Sequence, residues 1–133
     1  MSLTIKRVYE PPDASDGVRV LVDRLWPRGL SKDKAKVDRW MKELAPSDAL
    51  RRWFGHDPAK WADFRKRYQA ELRAGSELVK ALAAATQRGR VTLLYAARDE
   101  QHNNAVVLAD FIKKKRPRAR RPKAAPPGRR RKA

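Results

Sequence analysis

Two runs of aliphatic residues, Val18-Arg19-Val20-Leu21-Val22 and Val91-Thr92-Leu93-Leu94-Tyr95-Ala96, constrain the fold of this chain more than any other feature. A strand with one wet face alternates apolar and polar residues, whereas one that is apolar on both sides must be covered on both. Such strands belong to parallel sheets, whose neighbours are joined by crossovers that place helices over the faces. Residues Leu3 to Tyr9 add a third strand, with Leu3, Ile5 and the Val8-Tyr9 pair on its apolar side. The segment Pro11-Pro12-Asp13-Ala14-Ser15-Asp16-Gly17 between the first two strands is a loop by composition.

The middle of the chain reads as helix. Ser47-Asp48 caps a short helix carrying Leu50, Trp53 and Phe54, and Gly55 stops it. Asp57-Pro58 pairs an N-cap with proline at the first helical position. The helix that follows bears Trp61, Phe64, Tyr68 and Leu72 on one face. Ser76 opens another helix with Leu78, Val79, Leu82 and Ala85, ended by Gly89, and a last helix from Asn103 to Lys115 buries Val106, Val107, Leu108, Phe111 and Ile112. Strands separated by helices predict an α/β fold: a small, mostly parallel sheet of three to four strands flanked by about four to five helices. Strand order is not legible from this pattern.

After Ile112 the pattern stops. Of the chain's 33 Lys and Arg, twelve lie in its last 21 residues, which hold no Asp or Glu; this leaves 21 basic against 15 acidic residues for residues 1–112. The segment has no aromatic and no large aliphatic side chain, so it cannot offset roughly 1–2 kcal/mol of backbone entropy per residue by burial. It is expected to be a disordered tail behind a domain of residues 1–112. Its cations are Lys113, Lys114, Lys115, Arg116, Arg118, Arg120, Arg121, Lys123, Arg129, Arg130, Arg131 and Lys132. Such a polycation suits DNA or RNA, bound without sequence preference and with steep salt dependence. With no aromatic interleaved, base stacking is not offered. A solubilising appendage and an anionic membrane surface are the competing readings, the second weakened by the lack of apolar anchors.

The chain has no cysteine, which excludes disulfides, thiolate metal sites and cysteine nucleophiles. It begins with no apolar run of signal-peptide length and contains none of membrane-spanning length. The expected location is the cytoplasm, the nucleoid included. With His56 and His102 as the only histidines, no metal cluster is expected, and no cofactor.

Two charged loops follow predicted strands: Asp23-Arg24-Leu25-Trp26-Pro27-Arg28-Gly29 and Ala97-Arg98-Asp99-Glu100-Gln101-His102-Asn103-Asn104. On parallel strands both would emerge at the carboxyl edge, where open α/β sheets bind ligands. That edge would hold Arg24, Arg28 and Arg98 beside Asp23 and Asp99, with Asn103 and Asn104 at the start of a helix that favours anions. A phosphate or carboxylate ligand would suit it. The alternative is structural: Asp23 and Arg24 could pair with Arg98 and Asp99, and Trp26-Pro27 could plug the core. Catalysis is a third alternative, with Asp99 and His102 as the candidate acid–base residues. His56, in the Gly55-His56-Asp57-Pro58 turn, is expected to be structural.

The run Val20-Leu21-Val22-Asp23-Arg24-Leu25-Trp26-Pro27-Arg28-Gly29 resembles the YeaO-like family, a bacterial and archaeal domain of unknown function also called DUF488. Trp40-Met41-Lys42-Glu43-Leu44-Ala45-Pro46-Ser47, Trp53-Phe54-Gly55-His56-Asp57, Phe64-Arg65-Lys66-Arg67-Tyr68 and Asn104-Ala105-Val106-Val107-Leu108 carry the resemblance further, over roughly residues 3–112. It implies a small α/β fold and supplies no activity. Some relatives carry cysteine and a Cys-His-Arg run where this chain has Tyr95 and His102-Asn103-Asn104, so any thiol chemistry of theirs is closed to it. Taken together, the expectation is a nucleic-acid-associated accessory protein, with a binder of, or enzyme acting on, a small anionic ligand at loops 23–29 and 97–104 as the alternative.

Overall fold

The computed structural model describes residues 2–115. Strands β1 (Ser2–Arg7), β2 (Val18–Leu21), β3 (Arg39–Trp40) and β4 (Arg90–Tyr95) form one sheet in the order β1-β4-β2-β3, with every pair parallel. Ile5, Leu93 and Val20 lie abreast across its centre, and Lys6, Leu94 and Leu21 form the next row. The helices are α1 (Lys32–Ala35), α2 (Asp48–Phe54), α3 (Trp61–Ala74), α4 (Ser76–Arg88) and α5 (Asn104–Lys115). None of them is long and apolar enough to cross a membrane.

The two aliphatic strands are covered on both faces, as their composition requires. On one face Val20, Val22, Val91, Leu93 and Tyr95 join Phe64, Tyr68 and Leu72 of α3, Val79 and Leu82 of α4, and Val107, Leu108 and Ile112 of α5 in the main core. Leu21, Leu94 and Val8 point the other way, onto Ala35 and the partly buried Trp26, Leu30 and Val37. Local caps set the helix ends. The Ser47 hydroxyl accepts from Leu50 N at the start of α2, and Gly55, at φ 52°, closes its end. Asp57 accepts from Ala59 N and opens a 3₁₀ turn at Pro58–Lys60 that runs into α3.

Because β4 lies between β1 and β2, residues 8–17 must pass across it. A buried polar network beneath the second face holds that passage down. The Asp16 carboxylate takes Lys6 and Arg19, whose guanidinium also donates to the Ala35 and Lys36 carbonyls. The Thr92 hydroxyl donates to the Asp16 carbonyl and meets Thr4 Oγ1 at 3.0 Å. Gly17 is needed where this passage touches β4: its φ is +68°, and a Cβ there would lie 2.2 Å from the Arg90 carbonyl oxygen.

The sheet has one strand that sequence reading does not anticipate. Strand β3 is only two exposed residues long, tied to β2 through Asp38 N to Arg19 O and Met41 N to Leu21 O. The four-residue α1, capped by Ser31 and ended by Lys36 at φ 50°, is likewise additional.

Candidate functional site

Every strand being parallel, the segments that leave β2 and β4 emerge at one edge of the sheet. There a cleft of about 370 Å³ opens, lined by residues 23–28, 45–46, 96–97 and 102–104, with Tyr9, Arg51, Phe54, His56 and Phe64. Its size falls in the range of small-ligand pockets.

The floor is polar and tightly positioned. Asp23, two residues beyond β2, accepts a hydrogen bond from Ala96 N at 2.9 Å, which ties the two strand ends together. Burial is the main influence on this carboxyl. The Ala96 N–H and the Asn104 side chain offset it only in part, so its pKa stands above the ordinary carboxylate value. The Asn104 amide donates to Val22 O at 2.8 Å and is also a hydrogen-bond partner of Tyr68. Tyr68 is fully buried, its hydroxyl donates to Leu44 O, and burial pushes its pKa well up. Asn103 accepts from Val106 N and donates to Asp99 O. It therefore caps α5 and uses one of the helix N–H groups that a bound anion would otherwise take.

The rim carries the cations. Arg24 reaches Pro46 O through Nε at 3.2 Å and comes within 3.8 Å of the half-exposed Asp48. Arg51, from the last turn of α2, pairs with the same Asp48 at 3.3 Å. The Arg28 side chain is exposed and makes no bond to another described residue, while its carbonyl accepts from the Tyr9 hydroxyl. On the opposite wall His102 Nδ1 lies 2.9 Å from Asp99 Oδ2, and its ring meets Trp61 edge-on at 5.0 Å. Backbone N–H groups of Gln101 and His102, together with the imidazole, hold the Asp99 carboxyl below its usual range. This leaves Nε2 of His102 as the ring nitrogen without a described partner. Phe54 and Phe64 stack at 4.3 Å and give the cleft an apolar wall beside Trp26 and Pro27.

The structure thus brings Asp23, Arg24, Arg28, His102, Asn103 and Asn104 to one cleft, and leaves Arg98 exposed outside its lining. Asp99 stands behind His102 and does not line the cleft. No ion pair among the described residues joins Asp23 or Arg24 to Arg98 or Asp99. Trp26 does pack into the second-face core, its indole donating to Leu30 O. Sequence reasoning missed Arg51, and it assigned His56 only a structural part, whereas this residue sits at φ 58° on the cleft wall. The Arg51-Arg52 pair at the exposed end of a short helix before a glycine stop was the available signal. Among the described residues no group of three or more His, Asp or Glu is placed to hold a metal ion. Of the tail cations, Lys113, Lys114 and Lys115 belong to the last turn of α5; Arg116, Arg118, Arg120, Arg121, Lys123, Arg129, Arg130, Arg131 and Lys132 lie outside the described residues.

No solved structure matches this chain. The chain is 44% identical over 113 residues to the uncharacterised protein YeaO of Escherichia coli, covering 85% of its own length and 98% of the relative's. Uncharacterised proteins of Mycobacterium bovis and Mycobacterium tuberculosis are each 44% identical over 108 residues, or 81% of this chain and 91% of theirs. A family model described as the inactive DUF488-N3 subclade matches residues 2–128, past the Ile112 boundary that hydrophobic patterning suggests. The chain belongs to this YeaO-like DUF488 family.

Proposed function

We propose that the protein is a binding module that takes a small ligand bearing a phosphate or carboxylate in the cleft at the carboxyl ends of β2 and β4. The observation that carries this reading is the arrival of Arg24, Arg28 and Arg51 at one cleft, with the Arg28 guanidinium free of described protein partners. An arginine fork binds either anion through paired hydrogen bonds. The position agrees with the general placement of ligands in open α/β sheets. The description of the matched subclade as inactive favours binding over chemistry. Asp99 then serves to orient His102 as a ligand contact.

A thermal-shift screen of nucleotides, phosphorylated metabolites and carboxylates tests the reading. An Arg28→Ala, Arg51→Ala double variant should weaken any hit at least about tenfold, since charge-assisted hydrogen bonds contribute about 1.5–3 kcal/mol. Arg98→Ala, outside the cleft, should bind as the parent does. A double variant that keeps the full shift would place the site elsewhere.

A second reading rests on a different observation, the twelve cations of the last 21 residues. They support sequence-independent affinity for DNA or RNA, which would hold the domain near nucleic acid in the cytoplasm. The two readings are compatible, because the tail is separate in sequence from the cleft residues.

A further inference from the structure

The cleft has two chemical ends, and they differ in sign. Its rim is cationic, through Arg24, Arg28 and Arg51, while its floor presents the Asp23 carboxylate. With three arginines in the same lining, a carboxylate would be expected to take one of them as a partner. None of the ion pairs among the described residues involves Asp23. Its Oδ2 accepts from Ala96 N and the carboxylate also takes the Asn104 side chain, two donors for a group with about four acceptor sites, and no arginine pairs with it. A ligand that filled this cleft with an anion alone would leave the rest of that acceptor capacity unused and the carboxylate charge only partly compensated. A half-buried carboxylate whose charge is incompletely compensated is costly, so the matching ligand brings a hydrogen-bond donor to the floor and an anion to the rim. Between the two ends the lining is apolar, with Phe54, Phe64 and Pro27 and the two phenylalanine rings stacked at 4.3 Å. A planar ring suits such walls.

Building on the anion-binding reading, we infer that the cleft takes a guanine nucleotide unit, with phosphate on the arginine rim and the N1–H and N2–H₂ edge of the ring on the Asp23 carboxylate. The geometry of recognition is that of a carboxylate meeting two parallel N–H donors, the same arrangement by which arginine forks bind carboxylates. Adenine presents an acceptor at N1 where guanine presents a donor, and so meets the carboxylate with repulsion. Hypoxanthine keeps N1–H and lacks the amino group. Each donor edge is thereby ranked by the chemistry of one side chain. The raised pKa of Asp23 agrees with a carboxylate whose charge the protein itself leaves incompletely compensated.

The test is isothermal titration of the full chain with GMP, IMP, AMP and inorganic phosphate at neutral pH and near-physiological salt. GMP is expected to bind about ten- to a hundredfold tighter than AMP, with IMP between them, as a bidentate pair discriminates against the wrong base. Asp23→Asn keeps an oxygen to accept from Ala96 N, and should bring GMP down to the AMP level while inorganic phosphate binds unchanged. Equal binding of GMP, AMP and phosphate would overturn the guanine assignment and leave the anion-binding cleft intact. No binding of any of the four would remove both. A preference for GMP that survives Asp23→Asn would overturn the role of this carboxylate. The ranking of the three nucleotides on the parent chain needs no variant, so it stands as a test even if Asp23→Asn fails to fold. A short single strand ending in guanine separates the two sources of such a unit. Binding as tight as GMP, in excess of a strand ending in adenine, assigns strand ends; no excess assigns the free nucleotide.

Discussion

Asp16 and Asp23 lie beneath opposite ends of β2, and their ionisation acts on the fold with opposite sign. Burial by itself raises the pKa of Asp16. The Asp13 backbone N–H, Lys6 and Arg19 outweigh that effect and hold it below the ordinary 3.8. Its contribution is therefore fully present above the unfolded value and is lost as pH falls through the lowered one. Asp23 is raised, because Ala96 N–H and Asn104 compensate its burial only partly. Ionising it costs stability at neutral pH, and that cost fades as pH falls through the raised pKa. Asp16→Asn should thus lose about 3–5 kcal/mol at neutral pH, since it strands the buried Arg19. Asp23→Asn should gain up to about 1 kcal/mol at neutral pH, and the gain should vanish in acid, as expected for a carboxylate whose burial is only partly compensated. Denaturant titrations of both variants at neutral and acidic pH measure this; an Asp23→Asn chain no more stable than its parent at neutral pH would show the carboxylate to be fully compensated. The sequence placed Asp23 at the right edge of the sheet but suggested arginine partners for it. Its partners are a backbone N–H seventy-three positions away and the Asn104 side chain, pairings that no side-chain pattern encodes.

Among the elements, those that bury a long stripe were legible and those made by a few backbone bonds were not. The 3, 4, 4 spacing of Trp61, Phe64, Tyr68 and Leu72 specifies α3, three of whose four stripe residues are buried. Strand β3 has two residues, too few to show a period, and exists because Asp38 and Met41 bond β2 on either side of it. The consequence for the site is direct. Trp40, at the end of β3, donates from Nε1 to the Asp23 carbonyl at 2.8 Å and meets Trp26 edge-to-face at 5.5 Å. The unanticipated strand therefore pins the 23–29 loop that carries Arg24 and Arg28. Although Trp40 is 39% exposed, Trp40→Ala should cost about 1–2 kcal/mol and weaken ligand binding several-fold by loosening that loop. Trp40→Phe, which keeps the ring contact without the hydrogen bond, should fall between. Chemical denaturation alongside nucleotide titration checks both, and an unaltered affinity in Trp40→Ala would show that the loop holds its shape without β3. Arg98 shows the opposite limit of such reading. Its place after a parallel strand predicted the edge correctly, but adjacency in sequence does not fix where a long exposed side chain points.

On the scale of the whole molecule, charge divides the chain into two parts that answer to salt differently. Residues 1–112 hold all 15 acidic side chains, so their 21 basic ones are largely balanced and many are engaged locally. Arg67 and Lys60, for instance, lie over the Trp53 ring, and Lys60 also donates to Trp53 O. The last 21 residues have no such counterweight. If both act as proposed, binding to a duplex and binding to a nucleotide should separate cleanly. A chain ending at Lys115 loses nine of the twelve tail cations. Its log affinity for duplex DNA should then flatten against log salt by up to about eight units of slope, at roughly 0.9 per phosphate released from contact. Nucleotide affinity, set by the cleft, should be unaltered at the same salt. Fluorescence anisotropy of labelled duplex and single strands across a salt series, for the full and shortened chains, makes the comparison. Should the shortened chain keep the full slope, the phosphate contacts belong to the folded domain, and the arginine rim of the cleft becomes the surface on which they fall.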